Sequence, residues 1–152
     1  MHVTAKADYA MRAMIEIAAS PEGRAKAEQI AEAQDIPLGF LRGILTDLRR
    51  SGLIVSQRSA NGGFRLARDA ASISIGDVVR SVEGPLAQVR GLKPTELDYP
   101  GAAAPLRDVW IALRCNLRAI VDHTTIADVA SGDLPALVRD LVADPSSLIE
   151  NF

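Results

Sequence analysis

The sequence predicts a mainly α chain with a small β-hairpin, and three observations carry that prediction. Two short amphipathic segments are joined by the tight break Asp35-Ile36-Pro37. Directly after them, two β-prone runs flank Asn61-Gly62-Gly63, a strong hairpin signal. Farther on, Leu106, Trp110, Leu113, Leu117 and Ile120 recur at spacings of 4, 3, 4 and 3, the heptad pattern of a helix that packs along another helix. Helix, turn, helix and an Arg-bearing hairpin in that order spell a winged helix-turn-helix domain. The late helix is suited to dimerisation.

Each element has its own local reason. A first helix is expected from Ala5 to Ala19, with Thr4 as N-cap and Met11, Met14, Ile15 and Ala18 as its apolar stripe; Ser20-Pro21-Glu22-Gly23 stops it. A second helix should run from about Ala25 to Gln34 with Ile30 and Ala31 inward. A third should run from Leu38 to Ser51, with Pro37 in its first turn, Leu41, Ile44, Leu45 and Leu48 on one face and Gly52 at its end. Leu53–Ser56 and Gly63–Leu66 read as the hairpin strands. A fourth helix begins at Ser74-Ile75 and ends at Gly84-Pro85. Residues 86–104 have no clear period and read as a loop. The helix from Pro105 to His123 carries the heptad seam and, on its other side, the weaker strip Ile111, Ala112, Cys115 and Ala119. Two apolar faces suggest a helix sandwiched between its own domain and a partner's equivalent helix. Short helices near Ile126–Ala130 and Pro135–Val142 complete the chain. The expected organisation is a DNA-binding winged domain over 1–84, a connecting loop over 85–104, the dimerisation helix with the short following helix over 105–131, and a C-terminal extension over 132–152.

Composition narrows the function. The chain has 152 residues, 48% hydrophobic and 24% charged, which suits one globular domain, or one small domain plus an appendage, and not a disordered chain. No apolar run is long enough to cross a bilayer and no leader with an apolar core is read at the start, so a cytoplasmic, non-membrane protein is expected. One cysteine, Cys115, excludes an internal disulfide, and two distant histidines, His2 and His123, give no metal-ligand spacing. No nucleophile–base pair or paired carboxylates stand out, so no catalytic residue and no enzyme are expected. The net charge of −2 hides an asymmetry. Within residues 42–68, Arg42, Arg49, Arg50, Arg58, Arg65 and Arg68 face only Asp47, a net of +5. All six are Arg, whose forked donors suit phosphates and base edges. A winged module that binds a protein partner instead of DNA would build its surface from apolar residues, and this window argues against it.

The sequence resembles the Rrf2 family of bacterial transcription regulators. The resemblance rests on Asp8-Tyr9-Ala10-Met11-Arg12-Ala13, Ile36-Pro37, Phe40-Leu41, Ser51-Gly52-Leu53-Ile54, Arg58 and Gly62-Gly63-Phe64-Arg65-Leu66-Ala67-Arg68. It continues through Ile75-Gly76-Asp77-Val78, Val82-Glu83-Gly84-Pro85-Leu86 and Thr124-Thr125-Ile126-Ala127-Asp128-Val129, covering about residues 1–130. It implies a homodimer of winged helix-turn-helix subunits on an imperfectly palindromic operator, acting as a repressor. It also implies, for many members, an iron–sulfur cluster held by three cysteines in the loop before the dimer helix. Here residues 86–104 contain neither Cys nor His. The expectation is therefore a cluster-free, metal-free member whose signal is a small molecule, a protein partner or none. One alternative stays open: a cluster shared across the dimer and held by Asp8 with the nearby His2.

In such a domain the third helix enters the major groove with its N-terminal residues nearest the bases. That places Leu38, Gly39, Arg42 and Gly43 at the groove. Gly39 and Gly43, one turn apart, leave a bare face for close approach to DNA or, alternatively, for close packing on another helix. Arg49 and Arg50 fall near the backbone, and Arg58, Asn61 and Gly62 at the wing reach the adjacent minor groove or its phosphates. Thr4, Lys6, Tyr9, Lys26 and Gln29 are candidates for positioning phosphates. Leu106, Trp110, Leu113, Leu117 and Ile120 are the expected dimer seam. Tyr9 and Trp110 are the expected walls of an effector pocket between the winged domain and the dimer helix.

Overall fold

A computed structural model describes residues 3–148, so His2 lies outside the described residues. Helix α1 (Ala5–Ala19) is capped by Thr4, whose Oγ1 accepts from the Ala7 amide at 3.1 Å. Its deepest residues are Ala7, Ala10, Ala13, Met14 and Ile17. Of the expected stripe only Met14 is fully buried; Met11, Ile15 and Ala18 lie at the core's edge. The reason is that α1 is packed from several sides, and its alanines admit the closest neighbours.

Helix α2 (Ala27–Gln34) starts two residues later than expected. Ala25 is instead extended and pairs with Phe64 of the hairpin through two backbone hydrogen bonds, 2.9 and 2.8 Å. Asp35 turns the chain in the left-handed region, Ile36 is buried, and Pro37 is the N-cap of α3 (Leu38–Arg50), one position before its first turn. The buried face of α3 is Leu41, Ile44, Leu45 and Leu48, as its periodicity predicts.

Strands β1 (Ile54–Gln57) and β2 (Gly63–Leu66) pair antiparallel, with Ile54 opposite Leu66 and Gln57 opposite Gly63. The first strand is shifted one residue from the sequence expectation, leaving Arg58–Gly62 as the wing loop. Ala25 pairs along the other edge of β2, so the wing is fastened to the segment before α2. Helix α4 (Ile75–Glu83) opens with a reciprocal cap between Ser74 and Asp77.

The connection that follows is not featureless. It makes single 3₁₀ turns at Pro94–Glu96 and Gly101–Ala103, and buries Pro94 and Leu97. Helix α5 (Leu106–Val121) has no fully buried residue. Helix α6 (Ile126–Ser131) packs on α1, and Ile126 belongs to the same core as Met14 and Leu48. The short helix grouped by sequence with the dimer helix thus completes the core of the winged domain. Helix α7 (Ala136–Ala143) follows, with Leu137 and Leu141 exposed. Among the described residues no helix is long and apolar enough to cross a membrane.

Gly63 is where the wing meets the body. Its φ is +152°, and a Cβ there would stand 2.8 Å from the Ala25 carbonyl oxygen. Gly63→Ala should cost about 1–3 kcal/mol through backbone strain and this close approach. Thermal or urea unfolding of the variant against wild type measures it; an unchanged midpoint would show that the wing is not held here.

Candidate nucleic-acid interface

One open cleft, about 480 Å³, brings together α2, α3 and the wing. Its walls include Lys26 and Glu28 at the start of α2, Arg42 and Thr46 on α3, and Gln57, Arg58, Gly62 and Phe64 of the hairpin. Four of the residues expected from sequence to touch nucleic acid (Lys26, Arg42, Arg58 and Gly62) therefore share one surface. Asn61 and Gln29 line a neighbouring concavity with Lys26 and Gly62. Gly62 is fixed by space, since a Cβ there would fall 2.2 Å from the Gln57 carbonyl oxygen.

Gly39 and Gly43 sit on the exposed side of α3, and a Cβ built on either meets nothing within 4 Å. Close packing against another helix of the chain is thereby removed as their reason. What remains is a bare strip on the helix, next to Arg42. Arg42 Nη2 donates to Glu28 Oε1 at 3.0 Å, with both side chains mostly exposed. Hydrogen bonds from its own backbone amide and from Arg42 hold the Glu28 carboxyl below its ordinary value. Glu28 was not foreseen, because an acid in the first turn of a helix reads locally as a dipole partner. Leu38 is partly buried at the start of α3, and Arg49 and Arg50 are exposed at its end.

Three expected phosphate contacts are engaged within the fold. Thr4 donates to Glu83 while capping α1. Lys6 Nζ bonds Asp47 at 2.9 Å and the Val82 carbonyl at 3.1 Å, fastening α1 to α3 and α4. Tyr9 packs edge-on against Phe40, with centroids 5.6 Å apart, and beneath the Arg12 guanidinium. Gln29 Oε1 accepts from the Lys26 amide, which leaves only its NH₂ free of that cap.

The effector pocket expected between Tyr9 and Trp110 is not assembled. Trp110 lies in a groove of about 630 Å³ with Leu113, Leu117 and Ile120 on one side and Ala87, Val89 and Pro94 on the other, to which Tyr9 does not contribute. The connection after α4 thus flanks part of the expected seam. Leu106 and Leu113 remain exposed, and so does Val109, which the heptad reading passed over. Of the second apolar strip, Cys115 and Ala112 are exposed and Ile111 and Ala119 partly buried.

Comparison with known proteins agrees with this geometry. The Rrf2 family profile, described as iron-dependent transcriptional regulators, matches residues 3–132. An HTH-type transcriptional regulator of Mycobacterium tuberculosis, Rv1287, is 46% identical over 145 residues, covering 95% of this chain and 90% of that protein. The HTH-type regulator CymR of Bacillus subtilis is 32% identical, covering 86% of this chain and 91% of CymR. Its structure, described as that of the global cysteine regulator, superposes with a TM-score of 0.74 at 31% identity over 86% of this chain and 97% of that one. The structure of T. potens IscR gives 0.71 at 28% identity, over 88% of each chain. A winged fold with a basic cleft of this kind defines a DNA-binding transcription regulator. The chain belongs to the Rrf2 family.

The iron chemistry in that family description does not fit the donors present in the connection. Residues 86–104 offer no thiolate or imidazole, which iron–sulfur ligation requires. Cys115 is exposed on α5, and Asp8 is paired with Arg12 at 2.8 Å. Among the described residues no three His, Cys, Asp or Glu side chains gather in a metal-binding group.

Gly39→Ala and Gly43→Ala should move stability and DNA affinity in opposite directions. Each should raise helix stability by about 1 kcal/mol, because the new methyl enters open space. Each should weaken DNA binding, because that methyl occupies the strip nearest the groove. Paired melting curves and gel shifts test this, and an alanine that leaves affinity unchanged would take that glycine out of the interface.

Proposed function

We propose that the protein is a homodimeric repressor that reads an imperfect palindrome, one winged domain to each half-site. The observation that carries this reading is the cleft that Arg42 shares with Lys26 and Arg58 of the neighbouring elements, with the bare Gly39/Gly43 strip exposed on the same helix as Arg42. A helix without side chains on its outer strip fits closely into a major groove, while Arg42 offers a fork to a guanine edge. Arg58, exposed on the wing loop without an ion pair among the described residues, suits the adjacent phosphates or minor groove. Arg49 and Arg50 would lie along the backbone. Thr4, Lys6 and Tyr9 would act indirectly, by holding α1 against α3 and α4, and an effector is no part of the proposal.

The dimer contact is assigned to α5. Val109 is 56% and Leu113 55% exposed, and Leu106 adds a third apolar side chain at the helix start. Contiguous exposed apolar surface of this kind marks an interface. Leu117, Ile120 and Trp110, all partly buried, would form the inner part of the seam. Two winged domains joined this way would present their α3 helices to half-sites about one helical turn apart, roughly 34 Å. Selection of binding sites from a random DNA pool by the full chain tests the reading directly. Enrichment of a two-fold symmetric site supports it, and enrichment of nothing overturns it. Repression follows if a promoter carrying the enriched site is silenced when the protein is added to a transcription reaction.

Arg58→Ala should weaken binding to the enriched site with little loss of stability, since an exposed wing residue has few packing partners. If Arg58 meets a phosphate, the slope of log affinity against log salt should flatten by about one unit. An unaltered slope and affinity would remove Arg58 from the contact.

Leu117→Glu should split the dimer, because a carboxylate in an apolar seam must be desolvated without a partner. DNA affinity should fall with it, one winged domain making half the contacts. Sedimentation of the variant as an unchanged dimer would place the interface elsewhere.

A further inference from the structure

A chain of charged groups runs from the base of the wing to the end of α5. Arg68, just after β2, reaches Asp77 Oδ2 at 3.4 Å. Asp77 Oδ1 accepts from Arg80 Nη2 at 3.1 Å, one turn further along α4. Arg80 Nη1 then crosses to Asp122 Oδ1 at 2.7 Å, and the other Asp122 oxygen accepts from Arg118 Nε at 2.8 Å. Asp122 is the C-cap of α5. Among the described residues, Arg80–Asp122 is the one ion pair that joins α5 to the winged body.

The crossing depends on a glycine. Gly76 is buried in the first turn of α4, and a Cβ on it would stand 2.2 Å from Asp122 Oδ1 and 2.9 Å from Arg80 Nη1. The bare backbone at Gly76 is the seat in which the Asp122 carboxylate rests. Burial pushes the Asp122 carboxyl up, but hydrogen bonds from Arg118 and Arg80 outweigh it and hold the group below the ordinary aspartate value. The pair is therefore charged at neutral pH. The side chain of Asp122 is only 17% exposed, so this bridge is screened less than a surface pair.

Position makes the bridge more than a brace. Helix α5 has no fully buried residue, so few packing contacts fix its direction relative to the winged body. Its far end is tied by backbone bonds, Ile75 amide to Thr124 carbonyl at 2.8 Å and Ile126 amide to Ile73 carbonyl at 2.9 Å. Those bonds fix where the chain leaves α5, and a bidentate carboxylate between two arginines on two helices fixes the angle at which it does so. We propose that Asp122, seated on Gly76 and held by Arg80, is a positioning residue that sets the angle between the dimer helix and the DNA-reading domain and thereby the half-site spacing the dimer accepts. This rests on the dimeric operator reading above, since only a two-site ligand senses that angle.

The test uses the full chain and a panel of DNA duplexes carrying the enriched half-sites at separations of one base pair more or fewer. Wild type should bind one separation best. Asp122→Asn, which keeps the shape and removes the charge, and Gly76→Ala, which leaves the charges and fills the seat, should both flatten that preference. Affinity for a duplex with a single half-site, and sedimentation as a dimer, should stay as in wild type. A preference of tenfold that collapses to near equality corresponds to about 1.4 kcal/mol. Either variant, if folded by circular dichroism, is sufficient to read the outcome. A spacing profile identical to wild type overturns the proposal, and so does a uniform loss at every separation with a lowered melting temperature, the mark of a mere structural brace. If wild type enriches no site at all, the operator reading falls and takes this proposal with it; if it enriches a site but the variants keep its spacing, the proposal alone falls.

Discussion

Ala7, Ala10 and Ala13 carry nothing beyond Cβ, and this lets α1 be approached from several sides at once. Interior packing is dense, so a single helix can serve several neighbours only if some of its residues are small. Around it, α3 contributes Leu41, Ile44, Leu45 and Leu48, α4 contributes Val78, and α6 contributes Ile126. The inner face of α3 is thereby fixed, and its opposite face is fixed by default. Gly39, Arg42 and Gly43 point outward because Leu41, Ile44 and Leu45 point in. The wing is aimed by the same frame, since Ala25 pairs with Phe64.

Much of this geometry was legible locally and some of it was not. The face of α3 could be read because four large apolar residues alternate with charged residues and glycines, and only one phase satisfies them. The face of α1 is poorly legible, because alanine signals neither burial nor exposure and Met11 and Ile15 dominate the pattern. The start of α2 is not legible locally, because Ala25 obeys a partner about forty residues away, which no window of sequence contains. The membership of α6 in the core has the same cause. Its capping box, Thr125 with Asp128, is local and easily seen, but the surface it packs on is not. Of the candidate site, the basic cleft followed from the order of elements plus the Arg window. Glu28 holding Arg42 depends on how α2 and α3 cross, and Lys6 bound to Asp47 and Val82 depends on the whole bundle.

Charge in the free protein is arranged so that binding costs little rearrangement. Arg42 is kept on its side of the cleft by Glu28, yet an exposed pair of this kind contributes little to stability. Under the proposed function, nucleic acid would take over the guanidinium at little cost to the fold. The cations that hold the bundle together lie elsewhere: Lys6 joins three helices, and Arg80 joins two. Cations that face the cleft and cations that brace the core are separate sets.

The connection between α4 and α5 shows how ordinary packing orders a long irregular segment. A segment of about twenty residues with only two single 3₁₀ turns needs something to order it, because fixing each residue costs roughly 1–2 kcal/mol of backbone entropy. Here no thiolates are present to gather the loop around a metal. Order comes from ordinary packing: Pro94 and Leu97 are buried, and Arg107 of α5 donates to the Thr95 carbonyl at 3.0 Å. Val89 and Leu92 close a small turn with two backbone bonds. In the link between the winged body and α5, the Arg80–Asp122 bridge over Gly76 is the contact that rests on a single carboxylate.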